Sequence, residues 1–289
     1  MQYWQLDVFA DRPLAGNGVA VFADARALSP ASMQALTREL RQFESIFLQP
    51  GPTPEAYSAR IFTLEEELPF AGHPILGAAA LLHHLHGPAA SPETCDWTLH
   101  LAAKTVQLKT RLQGSGFYAE MNQGQGEFGA VLDPRQAQAI AAAFSLSAAE
   151  LDPRHPASVV STGLPYLLLP VTTQGLARAR QSRGLDRELA ELGAAFVFLL
   201  DVQAYEGRTW DPLGVVEDIA TGSAAGPVAA YLVAQGLRRR GEPFTLHQGR
   251  FLQRPSRLDV CVADDGVRVG GGVHLLARAE LLVPTDDLC

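Results

Sequence analysis

Residues 71–82 read Ala71-Gly72-His73-Pro74-Ile75-Leu76-Gly77-Ala78-Ala79-Ala80-Leu81-Leu82. Residues 221–232 read Thr221-Gly222-Ser223-Ala224-Ala225-Gly226-Pro227-Val228-Ala229-Ala230-Tyr231-Leu232. Gly222 lies 150 positions beyond Gly72, about half the length of the 289-residue chain. Each stretch is a small-residue helix entered through a glycine and one polar residue. A glutamate, Glu67 or Glu217, stands five positions before each glycine. Small side chains let strands wrap a helix closely, so the repeat predicts a duplicated α+β fold. It would have two pseudo-symmetric domains, each a curved, mostly antiparallel sheet or barrel wrapped around a central helix.

The flanking sequence agrees. Tyr3 to Phe9 and Val19 to Phe22 read as strands joined by Asp11-Arg12-Pro13 and Gly16-Asn17-Gly18. Ser29-Pro30 opens a helix along Met33, Leu36 and Leu40. Phe43 to Leu48, Ala59 to Leu64, Trp97 to Leu101 and Val106 to Leu108 are strand-like, and the helix at Pro74 runs to about His86 before Gly87-Pro88. In the second half, Phe117 to Met121, Val159 to Val171, Ala195 to Leu200, Leu258 to Val262 and Val267 to Val269 read as strands. Pro134 to Phe144 and a segment starting near Ser223 read as helices, and Ser147 with Glu150 as a capping box. The expected domains are 1–115 and 116–275, with 276–289 free to pack back on the first.

Composition narrows the function. Apolar residues are 47% of the chain, enough for packed cores, and the net charge of −8 argues against a non-specific nucleic-acid binder. The one basic run, Arg238-Arg239-Arg240, reads as the last turn of a helix. Cys95, Cys261 and Cys289 form neither a disulfide framework nor a zinc pattern. No signal peptide and no membrane-length apolar stretch is visible, so a cytoplasmic protein without membrane contact is expected.

Several motifs have plain readings. Gly124-Gln125-Gly126-Glu127-Phe128-Gly129 matches GxGxxG, yet it carries an acid and is separated by Asp133-Pro134 from the next helix, so it reads as a glycine loop. His83, His84 and His86 fall in a last helical turn, where imidazoles meet terminal carbonyls, and no metal site is expected there. The only lysines, Lys104 and Lys109, lie in a strand-like region that does not suit a pyridoxal Schiff base. No P-loop and no GxSxG occurs.

Three segments carry candidate chemistry. In Phe43-Glu44-Ser45-Ile46-Phe47-Leu48, alternation puts Glu44 on one face with Ile46 and Leu48. A carboxylate on an apolar face is desolvated and suited to take and return a proton. The same pattern also fits Phe43 and Phe47 inward with Glu44 on the wet face, and alternation alone does not choose. The other two segments, around Gly72-His73 and around Asp218 and Gly222-Ser223, each deliver a glycine to a helix N-terminus, where free N–H groups favour an anion. Ser223 also reads as an N-cap, and His73 as a capping or core histidine.

Together these residues resemble the PhzF family of phenazine-biosynthesis-like proteins. The resemblance rests on Asp7-Val8-Phe9 with Pro13 and Gly16-Asn17, Phe43-Glu44, Pro69-Phe70-Ala71-Gly72-His73-Pro74, Arg208, Glu217-Asp218 with Ala220-Thr221-Gly222-Ser223-Ala224, Gln248-Gly249, Arg254-Pro255-Ser256 and Gly270-Gly271. It runs from about residue 5 to 275, in order. It implies the diaminopimelate-epimerase-like fold with a site in the cleft between domains, a homodimer, and a cofactor-independent isomerase acting on a small carboxylate-bearing substrate. Glu44 would be the general acid/base, with Gly72, His73, Asp218, Gly222 and Ser223 binding substrate. Ser45-Ile46 and Ile219 depart from the family's commoner Thr-Thr and Pro, which leaves the substrate open. Cysteine-dependent epimerases of this fold need a thiol at the start of each motif, where this chain has Ala71 and Thr221, so a two-thiol racemase is excluded. A one-base epimerase and a non-catalytic metabolite- or protein-binding module are the alternative readings.

Overall fold

A computed structural model describes residues 1–87, 94–102, 104–211 and 213–283. Pro88, Cys289 and the tail 284–289 of the expected packing-back segment lie outside the described residues. The chain divides into two compact units, Met1–Asn122 with Gly270–Cys289, and Gln123–Val269. Among the described residues, no helix is long and apolar enough to cross a membrane.

The first unit holds β1 (Gln2–Val8), β2 (Asn17–Phe22), α1 (Pro30–Leu40), β3 (Glu44–Pro50), β4 (Ala56–Thr63), β5 (Glu67–Leu68), α2 (Gly72–His86), β6 (Cys95–His100), β7 (Thr105–Gln113) and β8 (Gly116–Asn122). The strands run in the order β1, β2, β3, β4, β6, β7, β8, and the last strand of the chain, Gly266–Glu280, follows β8 and pairs back to β1. Eight strands therefore close into a barrel, which removes the sheet's open edges. α2 contacts β1, β2, β3, β6, β7 and β8 and is buried from Gly72 to His83, so it is the axis the barrel wraps. Gly77 permits the close approach: a Cβ there would come within 2.9 Å of Val19 Cγ1 and 3.2 Å of Val8 Cγ2. α1 starts on a Ser29 side-chain cap and covers the other face of the sheet with Met33 and Leu36, over Ala20, Phe22, Phe47 and Phe62.

The second unit holds β9 (Glu127–Val131), α3 (Pro134–Ala143), β10 (Ser158–Ser161), β11 (Pro165–Pro170), α4 (Thr173–Arg178), α5 (Asp186–Leu192), β12 (Phe196–Asp201), β13 (Glu206–Thr209), α6 (Gly222–Ala234), β14 (Phe244–Gln248), β15 (Ser256–Ala263) and the start of β16 (Gly266–Glu280). Its strands order as β16, β15, β14, β13, β12, β11, β10, β9. α6 packs on β10, β11 and β15, repeating the role of α2. A second core, with Ile140, Phe144, Leu176 and Leu189 over Leu167, Leu169 and Leu199, covers the opposite face with α3 to α5. The expected two-fold repetition of a mostly antiparallel sheet around a central helix is what the structure contains.

Four local readings need correction. Val159 to Val171 is a hairpin, because Gly163 at φ 123° turns the chain and Ser161 pairs with Pro165. Arg238–Arg240 lie beyond α6, which ends at Ala234; Arg238 pairs with Glu242 and stacks on Tyr205. The second half of the GxGxxG stretch belongs to β9. Helix α6 is preceded by Thr221 as N-cap, so Ser223 is inside the helix rather than capping it.

Candidate active site

β3 is buried on both faces, which explains why its pattern fits two orientations. Phe47 belongs to the cluster under α1, stacked on Phe22 at 4.5 Å. Glu44, Ile46 and Leu48 alternate onto the face of α2, and Glu44 is 7% exposed. Its Oε2 lies 3.4 Å from Nδ1 of His73, the second residue of α2.

The turn from β1 to β2 places the partners of His73. Leu14 N donates to buried Asp7 Oδ2 at 2.7 Å, and Gly16 adopts φ 67° where a Cβ would sit 2.3 Å from Val8 O. The chain thereby enters β2 with Asn17 Nδ2 3.4 Å from His73 Nδ1 and Gly18 O 3.2 Å from His73 Nε2. A carbonyl only accepts, so Nε2 carries a hydrogen and donates to Gly18. In the neutral ring Nδ1 is then an acceptor, open to the Asn17 amide. For the Glu44 contact to be a hydrogen bond, a proton must lie on the Oε2–Nδ1 line, on the acid or on a doubly protonated ring.

In the second unit Asp218 and the start of α6 are held from several sides. Asp218 N donates to Thr209 O at 3.0 Å, and Thr221 Oγ1 donates to Asp218 Oδ2 at 2.6 Å. Gln248, 1% exposed, donates through Nε2 to Asp218 O and Thr221 Oγ1 and accepts Thr221 N–H on Oε1. Gln123 Nε2 donates to Gly222 O at 2.9 Å, and Tyr166 Oη lies 2.7 Å from Ser223 Oγ. One residue before Asp218, Glu217 receives a two-bond fork from buried Arg208.

The N-caps of α2 and α6, Ala71 and Thr221, make no side-chain cap, whereas Ser29 and Asp133 cap α1 and α3. Uncapped first-turn N–H groups suit an incoming anion. The six candidates therefore form two groups, Glu44 with Gly72 and His73, and Asp218 with Gly222 and Ser223. Among the described residues no group of three or more His, Cys, Asp or Glu is arranged to hold a metal. Asn17, Gln123 and Tyr166 take part without having been assigned a role from sequence. Tyr166 left one signal, a phenol within an apolar strand, since a buried hydroxyl requires a partner.

Comparison with known proteins adds chemistry to this geometry. The family model described as phenazine biosynthesis-like protein, PhzC-PhzF, matches residues 6–275. The trans-2,3-dihydro-3-hydroxyanthranilate isomerase of Pseudomonas fluorescens is 36% identical over 95% of this chain and 99% of its own length. A solved Pseudomonas aeruginosa structure described as a predicted epimerase is 69% identical, covers 98% of this chain and 99% of that one, and superposes with a TM-score of 0.94. A hydroxyproline epimerase from Agrobacterium vitis shares the fold at 12% identity, with a TM-score of 0.63 over 96% of this chain and 91% of its own. The fold is accordingly diaminopimelate-epimerase-like.

Proposed function

The chain belongs to the PhzC-PhzF family of isomerases, and from that premise we propose that it shifts a proton within a small carboxylate-bearing substrate, with Glu44 as the general acid/base. The observation that carries this reading is the buried Glu44–His73 pair, 3.4 Å apart at the uncapped start of α2. A carboxylate that exchanges a proton with its neighbour can remove one from carbon and return it to another carbon on the same face. The electrons stay within the substrate, so the step balances without a redox cofactor. His73 orients the carboxylate, and the first-turn amides of α2 and α6 stabilise negative charge that builds up on the substrate. Asp218 and Ser223 bind its polar groups.

The substrate class follows the relative's chemistry, a cyclic dienyl amino acid with a hydroxyl, as in trans-2,3-dihydro-3-hydroxyanthranilate. The test is NMR of that compound and related amino and hydroxy carboxylates in D₂O, with wild type and Glu44→Gln. Double-bond position and deuterium uptake are both followed, because a proton recycled internally never reaches solvent. Wild type should move the double bond, and Glu44→Gln should bind without turnover. Retained turnover in Glu44→Gln would remove Glu44 from the mechanism.

A further inference from the structure

We infer that Tyr166 is a positioning residue for the reaction, acting through the hydroxyl of Ser223; the inference rests on the function proposed above. Tyr166 stands near the start of β11, in register with Val160 of β10 and Phe196 of β12. Its ring stacks on Phe196 with centroids 5.4 Å apart and an interplanar angle of 24°, and the residue is 2% exposed. Strand register and stacking therefore fix where the phenol oxygen ends, 2.7 Å from Ser223 Oγ.

A serine in the first turn of a helix ordinarily turns its hydroxyl to its own backbone or to water. Here the hydroxyl is held from the sheet. Each member of the pair has one hydrogen to give and lone pairs to receive one. Tyr166 is buried while Ser223 is partly exposed, so Ser223 is the member that a ligand reaches. When Ser223 donates to a substrate oxygen, Tyr166 donates to Ser223, and the two bonds in series strengthen each other. Tyr166 thus selects the Ser223 rotamer and polarises it without touching substrate. Gln123 on Gly222 O and Gln248 on Thr221 N hold the backbone of this turn, and Tyr166 meets the Ser223 side chain.

The test is a double-mutant cycle on the intact protein: wild type, Tyr166→Phe, Ser223→Ala and the pair, with Glu44→Gln alongside. Turnover of trans-2,3-dihydro-3-hydroxyanthranilate and binding of its aromatic analogue 3-hydroxyanthranilate are measured. Tyr166→Phe keeps the ring and its stacking, and should lower kcat about tenfold, the low end of what supporting-partner losses cost, with little change in KM. In the Ser223→Ala background the same change should cost nothing further. A purely structural tyrosine would instead lower kcat by the same factor in both backgrounds, and that outcome overturns the inference. So does full activity of Tyr166→Phe or of Ser223→Ala while Glu44→Gln is dead; either leaves the Glu44 acid/base reading standing, and the second also removes Ser223 from substrate binding. Wild type that neither binds nor converts these compounds removes the proposed function and the inference together.

Discussion

Arg208 forks onto Glu217 with hydrogen bonds of 2.7 and 2.8 Å, the buried counterpart of the fork from Arg60 onto Glu67 at 2.7 and 2.6 Å. The two glutamates hold equivalent places, five residues before the glycines that begin α6 and α2. Their surroundings differ. Arg208 is 2% exposed in its side chain, lies over the rings of Trp210 and Phe251, and also donates to Leu176 O and Ala179 O; Arg60 and Glu67 are each about a third exposed.

That contrast sets the first prediction. Removing one partner of a buried pair strands a charge and costs about 3–5 kcal/mol, whereas an open pair is worth under about 1 kcal/mol. Arg208→Ala should therefore lower stability by several times as much as Arg60→Ala in denaturant unfolding. Equal losses would mean that the burial of Arg208 carries no energetic weight. Because Glu217 adjoins Asp218, Arg208→Ala should also weaken substrate binding.

Gly77 makes a sharper packing test. An alanine there meets Val19 Cγ1 at 2.9 Å, and a β-branched side chain on a barrel strand has little room to turn away. Overpacking of this kind costs about 1–3 kcal/mol. Gly77→Ala should lower the melting temperature in wild type and cost less in a Val19→Ala background, where the clashing methyl is gone. An undiminished cost in that background would place the strain elsewhere.

The architecture was legible because the two helices at its centre must be made of small residues, and small-residue runs are visible in sequence. Local readings failed where tertiary pairing decides. Val159 to Val171 is apolar nearly throughout, so one turn at Gly163 was hidden among strand formers. β13 and β14 are short and carry Glu206, Arg208, Thr245 and His247, so nothing in their composition marked them as strands. In the site, Glu44 and His73 stood out as polar residues beside apolar or glycine-rich patterns. Gln123 and Tyr166 act at 99 and 57 residues' separation in sequence, and such contacts leave no periodic trace.

Gln248 shows how such a distant contact can be tested. Its amide is used at both ends: Oε1 accepts Thr221 N–H, and Nε2 serves Asp218 O and Thr221 Oγ1. Gln248→Leu removes all three bonds and strands the buried Thr221 N–H, at about 1–3 kcal/mol for a donor left unpaired. Gln248→Glu keeps the acceptor but sets an oxygen where the donor was, facing Asp218 O. It should lose substrate affinity as well as stability. A glutamate variant as stable as wild type would show that the Nε2 bonds contribute nothing. Calorimetric melts and a binding isotherm on both variants decide it.

His83 gives the pH dependence. Its ring is buried, with Nδ1 2.8 Å from Thr110 Oγ1, and Thr110 Oγ1 accepts the Trp97 indole N–H at 2.8 Å. Burial pushes the imidazole pKa down from its ordinary 6.5. Below about pH 6.5 the unfolded chain therefore binds a proton that the folded one does not yet take. Stability from this group is complete above pH 6.5 and is lost as pH falls from there through the lowered folded value. Glu67 and Asp152 are held below their ordinary 4.5 and 3.8, mainly by hydrogen bonds from Arg60 and Arg154, so their contributions fade only in more acid solution. Melting temperature should accordingly fall as pH drops from about 7 toward 5, before those carboxylates titrate. His83→Gln, which can still accept from Thr110, should flatten that limb while leaving the acid limb in place. An unchanged slope in the variant would assign the neutral-pH loss to another group.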